Sequence, residues 1–494
     1  MSDPITIANV DLNNISEFQR KLYDISDGDT KAKLIPRFLA RFIQKPWSDH
    51  MLIKLAAVEE AGKLIFVPHM KFDFLLYCFL HLKLPTLRVK DELGDSIQIA
   101  WTRNLGHAII RKAEMYYDNG TPQSFDHVSL DVYRQFYVKR DLREAYDRNI
   151  GNVPDLTSWS RALPGLTIKP HQPWYFAEED YLAVPILLFN DRNDTKKTDT
   201  PIRFVYEFNL QISSLLRMRR LVPKEKIDQT KGTYEDQGRR WKDIPCRMEY
   251  LQAAPSRLPT PDIYGRHVLI TPEERSWLKE HVAGEPIVQH MTDMLARDSD
   301  NTYKYGGQAR LDISYSAAVR AIHVMAENMD STRNRLLSNY TTSTTNLKRG
   351  SSPIQSTELV YFNGVRVPKT DFEFASELEP YYHCPSVPFE PGYGVLSACY
   401  GKGTCISDTS LCLKEAKAQL VVNLGQTNPF SVNEKSASTQ SSKDEDEDLE
   451  SRDLFETDVT ETNEVEPSPN FTVHVRTVII KKLEFSNGEC TIES

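Results

Sequence analysis

A chain of 494 residues that is 40% apolar and 26% charged has a globular composition and room for two or three well-buried domains, so a single small stapled module is excluded. Sixty basic against 69 acidic side chains leave a net charge of −9, which opposes bulk attraction to nucleic acid or to an anionic membrane. Seven cysteines with no Cys-x-x-Cys pair read as reduced thiols, and the opening Met-Ser-Asp-Pro-Ile-Thr lacks the basic and apolar regions of a secretory signal, which points to a soluble protein made in a reducing compartment.

Residues 1–30 are polar with scattered apolar positions (Ile5, Ile7, Val10, Phe18, Leu22) and are expected to form an N-terminal arm. Over residues 71–84 every second position is apolar (Phe72, Phe74, Leu76, Cys78, Leu80, Leu82, Leu84) while Asp73, His81 and Lys83 lie on the other face, the period of a strand. Three Asn-Gly dipeptides follow aromatic or β-branched runs: Asn119-Gly120, Asn363-Gly364 and Asn487-Gly488. Each tolerates the positive φ of a type I′ turn and is expected to be a hairpin tip, which implies antiparallel neighbours. Leu130, Tyr133, Tyr137, Leu142 and Tyr146 predict a helix within residues 126–150. Strand alternation returns over 201–212, where Ile202, Phe204, Tyr206, Phe208, Leu210 and Ile212 oppose Arg203, Glu207, Asn209 and Gln211.

Between residues 220 and 258 the pattern lapses into charged, proline-interrupted sequence, the expected linker between a first domain over 31–219 and a second over 259–494. Thr271-Pro272-Glu273-Glu274 predicts a capped helix over 272–282, with Thr271 as N-cap and Glu274 closing a capping box. Residues 428–470 are Ser/Thr-rich and then acidic, with five consecutive carboxylates from Asp444 to Asp448. Such a run cannot bury enough apolar surface to order itself, and strand-like alternation resumes at Phe471, so it is expected to be an exposed loop inserted in the second domain. Few helices punctuate the strands, which disfavours a doubly wound α/β sheet and favours a mainly β protein.

Signatures of catalysis are missing. There is no His-x-His, HExxH or Cys-x-x-Cys, so metal and cupin chemistry are not expected, and His107 and His383, in strand-like surroundings, read as packing or hydrogen-bonding residues. Gly401-Lys402-Gly403-Thr404 lacks the ending of a phosphate loop, and the acidic run lacks the glycine and alternation of an EF-hand. No catalytic, cofactor-binding or metal-binding residue is assigned, and no cofactor is expected.

Several blocks, in order, resemble one family. Trp101 to Glu114 contains Trp101, Gly106, His107, Ile110 and Arg111 and is followed by Asn119-Gly120 and Asp126; Pro173-Trp174-Tyr175-Phe176 precedes Leu182-Ala183-Val184-Pro185. Further on come Asp262-Ile263-Tyr264 with Glu274-Arg275, then Asn363-Gly364, then Glu379-Pro380-Tyr381-Tyr382-His383, and Gly392-Tyr393-Gly394. Together they resemble the major capsid proteins of the nucleocytoplasmic large DNA viruses, of the iridovirus and phycodnavirus kind, with Asp262-Ile263-Tyr264 resembling the segment that opens the family's second barrel. The chain departs from the family at Tyr315-Ser316-Ala317 and at Tyr400 to Thr404, which suggests a divergent lineage.

The resemblance implies two consecutive eight-stranded antiparallel jelly-roll sandwiches, a double jelly roll, with a few short helices in loops. It implies a non-enzymatic shell subunit of the virion, assembled in the host cytoplasm, that forms homotrimeric, pseudo-hexagonal capsomers. Its partners would be other copies of itself, neighbouring capsomers, minor capsid and penton proteins, and an internal membrane reached through other proteins, with no direct nucleic acid contact. The alternatives are a poxvirus-like double jelly-roll assembly scaffold that is absent from the mature virion, and a carbohydrate-binding or hydrolytic jelly-roll protein.

Overall fold

The computed structural model describes residues 50–117, 122–174, 184–186, 202–223, 239–270, 272, 275–276, 287–315, 318–344, 350–361, 366–397, 411–412, 417–425, 469–486 and 489–493. The N-terminal arm, the tips Asn119-Gly120, Asn363-Gly364 and Asn487-Gly488, Phe176, Glu274 and nearly all of the acidic insertion lie outside them.

Among the described residues, two barrels share a plan of eight strands each. The first has β1 (His50–Lys54), β2 (Lys63–Val67), β3 (Phe74–Lys83), β4 (Ile110–Tyr117), β5 (Gln123–Phe125), a broken β6 (Thr167–Ile168, His171–Gln172 and Val184–Pro185), β7 (Ile202–Phe208) and β8 (Asp262–Val268). The second has β9 (Ile287–Tyr303), β10 (Gln308–Asp312), β11 (Ala318–Asn328), β12 (Ile354–Val360), β13 (Arg366–Asp371), β14 (Tyr393–Ser397, continued at Leu411–Cys412), β15 (Gln419–Leu424) and β16 (Phe471–Ser486). In the first barrel one sheet runs β1-β8-β3-β6 and the facing sheet β2-β7-β4-β5, with an extra edge strand, Ala56–Glu60, paired to β2; in the second the orders are β9-β16-β11-β14, with Glu489–Glu493 paired to the end of β16, and β10-β15-β12-β13. Adding eight to every label of the first barrel gives the second, so the chain carries the same antiparallel jelly roll twice.

Alternation explains the strands. In β3, Cys78, Leu80 and Leu82 point into the first core while Tyr77 and Lys83 are exposed. Trp174 fills the same core against Phe125, Phe204 and Tyr206, with ring centroids 4.6, 5.2 and 6.0 Å away. The second core is separate: Val319, Ile322, Val324 and Ala326 of β11, beside Val473, Val475 and Ile479 of the neighbouring β16, share it with Ala309, Leu311, Leu359, Leu420 and Val422 of the facing sheet. The strands flanking each Asn-Gly pair antiparallel, down to Val360 opposite Arg366 and Ser486 opposite Glu489.

Several expectations are corrected. The 220–258 segment is more than a linker: Leu216–Pro223 runs back along Ile97–Trp101 and pairs with Arg239–Ile244, a three-stranded sheet attached to the first barrel. Asp262-Ile263-Tyr264 closes the first barrel instead of opening the second, because Ile263 enters the first core and β8 lies between β1 and β3. The strand expected over 201–212 stops at Phe208, and Ile212–Leu215 forms one helical turn. The single helix expected within 126–150 is broken into α2 (His127–Val132), a π turn at Tyr133–Tyr137, a 3₁₀ turn at Arg140–Leu142 and α3 (Arg143–Ile150). His107 lies in the short helix α1 (Leu105–Ala108) and His383 in α4 (Glu379–His383), neither of them in a strand. Of the helix expected over 272–282, Pro272, Arg275 and Ser276 are described and are helical.

Candidate functional site: the junction between the barrels

The two barrels meet along a surface that gathers three clusters of buried charged side chains. The first contributes β5 and the helical connection after it; the second contributes the outer face of β9-β16-β11-β14. In β11, Ala321, His323 and Met325 alternate with the core residues and turn toward the first barrel, which buries the strand on both faces. The apolar core of the first barrel runs on through Met294, Ala321, Met325, Tyr393 and Val478 of the second.

Asp126 begins the polar part. It is the N-cap of α2, accepting from the Ser129 amide at 2.8 Å, and its other oxygen lies 2.6 Å from Nη2 of Arg476 on β16. Arg476 is fully buried and also donates to Asp298 Oδ1 on β9 at 2.6 Å. Asp298 accepts from Nδ1 of His474 at 2.8 Å, and Nε2 of His474 lies 3.2 Å from Glu327. The result is a row of alternating sign, Asp126, Arg476, Asp298, His474, Glu327, crossing from one barrel into the other. Burial opposes charge on His474, but its hydrogen bonds to Asp298 and Glu327 outweigh burial and raise its pKa to about 9. Burial likewise opposes ionisation of Asp126, and the Arg476 charge overcomes it to bring the carboxyl down to about 2. With both ring nitrogens donating to carboxylates, His474 has no lone pair to offer a metal ion.

A second cluster surrounds Asp131 of α2, which is fully buried. One oxygen accepts from Asn104 Nδ2 at 2.9 Å and lies 2.7 Å from His107 Nδ1; the other accepts from Tyr340 of the second barrel at 2.9 Å. His107 Nε2 reaches Tyr146 at 3.0 Å. Gly392 packs against Tyr340, and its φ of +95° and close approach to the Tyr340 carbonyl leave no space for a side chain: a Cβ would stand 2.0 Å from that oxygen. Gly106 meets the same limit, since a Cβ there would be 2.5 Å from Pro170 Cγ.

The third cluster clamps the segment before β14. Arg134, in the π turn, grips Asp147 with Nε and Nη2 at 2.6 and 2.9 Å and donates from Nη1 to Glu390 at 3.0 Å; Arg103 pairs with the same carboxylate oxygen. Arg134 and Arg143 stand over the Phe389 ring at 4.8 and 4.4 Å. Next to it, buried His323 meets the Tyr137 hydroxyl at 3.1 Å and the Phe136 ring at 4.5 Å, and burial lowers its pKa to about 3, so it stays neutral.

The motif residues distribute unevenly around this junction. His107 and Asp126 are part of it, and Trp101, Gly106, Ile110, Pro173 and Trp174 are buried. Pro185 pairs with Phe74 at the barrel edge, and Arg275 forms a bidentate pair with buried Asp73 at 2.8 Å. Arg111, Tyr264 and Tyr381 face outward, Pro380 is buried, and His383 lies 3.6 Å from Glu379 one helical turn back. Arg476, Asp298, His474, Asp131, Arg134 and Glu390 gave no sequence signal, because their partners lie far away along the chain.

No family model matches the chain. Among curated proteins it is similar to the major capsid protein of Frog virus 3 (isolate Goorha), at 25% identity over 431 residues covering 80% of this chain and 82% of that one. It is also similar to the major capsid protein of Invertebrate iridescent virus 3, at 24% over 412 residues, 80% and 84% of the two chains. Among solved structures it is similar in fold to PBCV-1 VP54 (TM-score 0.58, 11% identity, 90% of this chain and 96% of that one) and to the Faustovirus major capsid protein (TM-score 0.58, 10% identity, 90% and 92%). The chain is thus similar in sequence to iridovirus major capsid proteins, and its fold is the double jelly roll of PBCV-1 VP54 and the Faustovirus major capsid protein.

Proposed function

We propose that this protein is a structural, non-enzymatic subunit of a virus shell, and that three copies form a pseudo-hexagonal capsomer that tiles an icosahedral capsid. The observation that carries the reading is the doubling itself: two barrels of identical strand order are joined into one unit by a buried junction. Three such chains present six like barrels, so a threefold assembly has a six-sided outline. The iridovirus proteins that this chain resembles are named major capsid proteins, which supports the same role here. The motif residues would serve it through packing and hydrogen bonds. The partners are neighbouring capsomers, with minor capsid and penton proteins at the edges, and the place of assembly is the host cytoplasm. The acidic segment 428–470 joins β15 to β16 and would project from a barrel end, where loop length costs little.

Native mass measurement with negative-stain imaging tests this. Hexagon-like particles of three times 56.7 kDa are expected, and a monomer at all concentrations would refute the capsomer. Abundance in purified virions separates a shell subunit from a scaffold that is discarded before maturation.

A further inference from the structure

The connection from β7 to β8 in the first barrel and the connection from β15 to β16 in the second hold equivalent places in the repeat, and they carry opposite charge. The first contains the paired strands Leu216–Pro223 and Arg239–Ile244, with five arginines and Lys242 against the single carboxylate of Asp243. The second contains residues 428–470, where 13 carboxylates stand against Lys435, Lys443 and Arg452, a net charge of −10. With −9 for the whole chain, that one segment holds its entire negative balance.

The basic strands are short of anions. Arg220 stands directly opposite Lys242 on the neighbouring strand, and both side chains are exposed. Like charges in that position repel, and neither residue has an ion-pair partner among the described residues. Asp243 does not serve them, because it lies on the other face, 3.3 Å from Nη2 of the buried Arg217. On that other face Arg219 stacks between Trp159 and Trp241, at 4.7 and 4.6 Å from the ring centroids.

The acidic segment ends within reach of this pair. Asn470, its last residue, donates from its amide to Asp330 at 3.2 Å and accepts from the Met329 amide at 2.9 Å, at the start of the helix Met329–Arg333. Just past that helix, Arg335 donates to the Ser213 carbonyl at 3.1 Å and the Leu337 amide to the Thr102 hydroxyl at 3.2 Å. Ser213 leads into Leu216–Pro223 and Thr102 follows Ile97–Trp101, so the chain re-enters the second barrel beside the near end of the basic sheet. From Ser213 to Arg220 is at most roughly 23 Å of extended strand. The stretch from Asp448 to Asn470 can span up to about 70 Å, so length does not limit the contact.

We propose that residues 444–466 seat on the Arg220–Lys242 face of the same chain's basic sheet and act as its intramolecular counter-ion. Charge complementarity selects this occupant, and the tether at Asn470 holds it near the face at an effective concentration that a free polyanion would have to exceed. The pairing concerns a single chain and stands whether or not three chains assemble.

Zero-length carbodiimide coupling of the full chain reads the contact, since it joins a lysine amine to a carboxylate only where the two touch. Peptide mapping is expected to find Lys242 joined to carboxylates of 444–466 at a yield roughly fivefold above that of the exposed Lys139 and Lys169. Salt at about 0.5 M shortens the screening length and should bring the three yields together. Arg220→Ser keeps Lys242 and every carboxylate, and the Lys242 yield is expected to fall roughly threefold; Arg220→Gln replaces it if circular dichroism shows an altered fold. In an equal mixture of isotopically light and heavy chains, each cross-linked pair should be all light or all heavy. Replacing the five carboxylates Asp444 to Asp448 with their amides should strengthen binding of a short single-stranded DNA probe roughly tenfold at low salt, and adding Arg220→Ser/Lys242→Ser should cancel the gain. A Lys242 yield no higher than those of Lys139 and Lys169, or an amide variant that binds the probe no better than the parent, would overturn the proposal. Cross-links of mixed isotope would place the segment on another copy and overturn the same-chain pairing.

Discussion

The sheets β1-β8-β3-β6 and β9-β16-β11-β14 have one strand order and opposite fates. The first buries its inner face and leaves Tyr77, Phe79 and Tyr264 at the surface to varying degrees, whereas the second is buried on both sides and carries Arg476, His474 and His323 on the face turned to its neighbour. Topology therefore does not decide what a sheet does in this protein; the connection lying over it does. A junction made of charges is also a demanding one, since each ion taken out of water costs several kcal/mol unless its partners are complete.

Removing one charge from the covered sheet should give the largest effect. Arg476→Ala leaves Asp126 and Asp298 facing each other without their shared cation, and a loss of about 3–5 kcal/mol is expected in thermal or denaturant unfolding. Calorimetry sharpens the contrast: the parent is expected to unfold with its barrels coupled, the variant with the second barrel's transition separating from the first. An unchanged single transition would mean that the apolar part of the junction suffices.

Protonation tests the same row. Because His474 titrates near 9 in the folded chain against an ordinary 6.5, its stabilisation is complete below about pH 6.5 and is lost as pH rises through 9, a loss of about 3 kcal/mol. A His474→Gln variant should be less stable at pH 6 and show a flatter alkaline limb. His323 acts in the opposite sense: with its folded pKa depressed to about 3, its contribution is present above 6.5 and falls as the pH is lowered toward 3. The junction is thus expected to be firmest near neutrality.

Asp131→Asn should follow, at about 2 kcal/mol, since the amide cannot accept from Asn104, His107 and Tyr340 together. The smallest effect belongs to the uncovered sheet. Tyr77→Ser is expected to change the stability of a single chain by less than about 0.5 kcal/mol, measured by chemical unfolding of dilute monomer. A larger loss would place Tyr77 in a packed interior and break the contrast between the two sheets.

Legibility followed the same divide. The strand β3 was readable because one of its faces meets water for most of its length, so Cys78, Leu80 and Leu82 alternate with Tyr77, His81 and Lys83. Strand β11 was not, because Ala321, His323 and Met325 are as buried as Val319, Ile322 and Val324, and a strand covered twice loses its period. The broken helix after β5 misled for a related reason: Arg134, Phe136 and Tyr137 serve the second barrel, a demand that no local 3.6-residue period expresses. Segment 220–258 read as a linker because Arg217 and Arg219 of its first strand and the neighbouring Trp241 are satisfied by stacking and ion pairs, which composition scores as loop.

What the amino-acid order determined alone was the set of strands with one wet face, the Asn-Gly reversals between them and the ordered motifs that resemble capsid proteins, because these depend on neighbours a few residues away. The tertiary structure decided that β8 closes the first barrel, that Asp126 finds Arg476 across 350 residues of chain and that, among the described residues, one of two like sheets is covered while the other is not. Those outcomes depend on which surfaces meet when two barrels pack, and charge pairs that distant leave no periodic trace in the sequence.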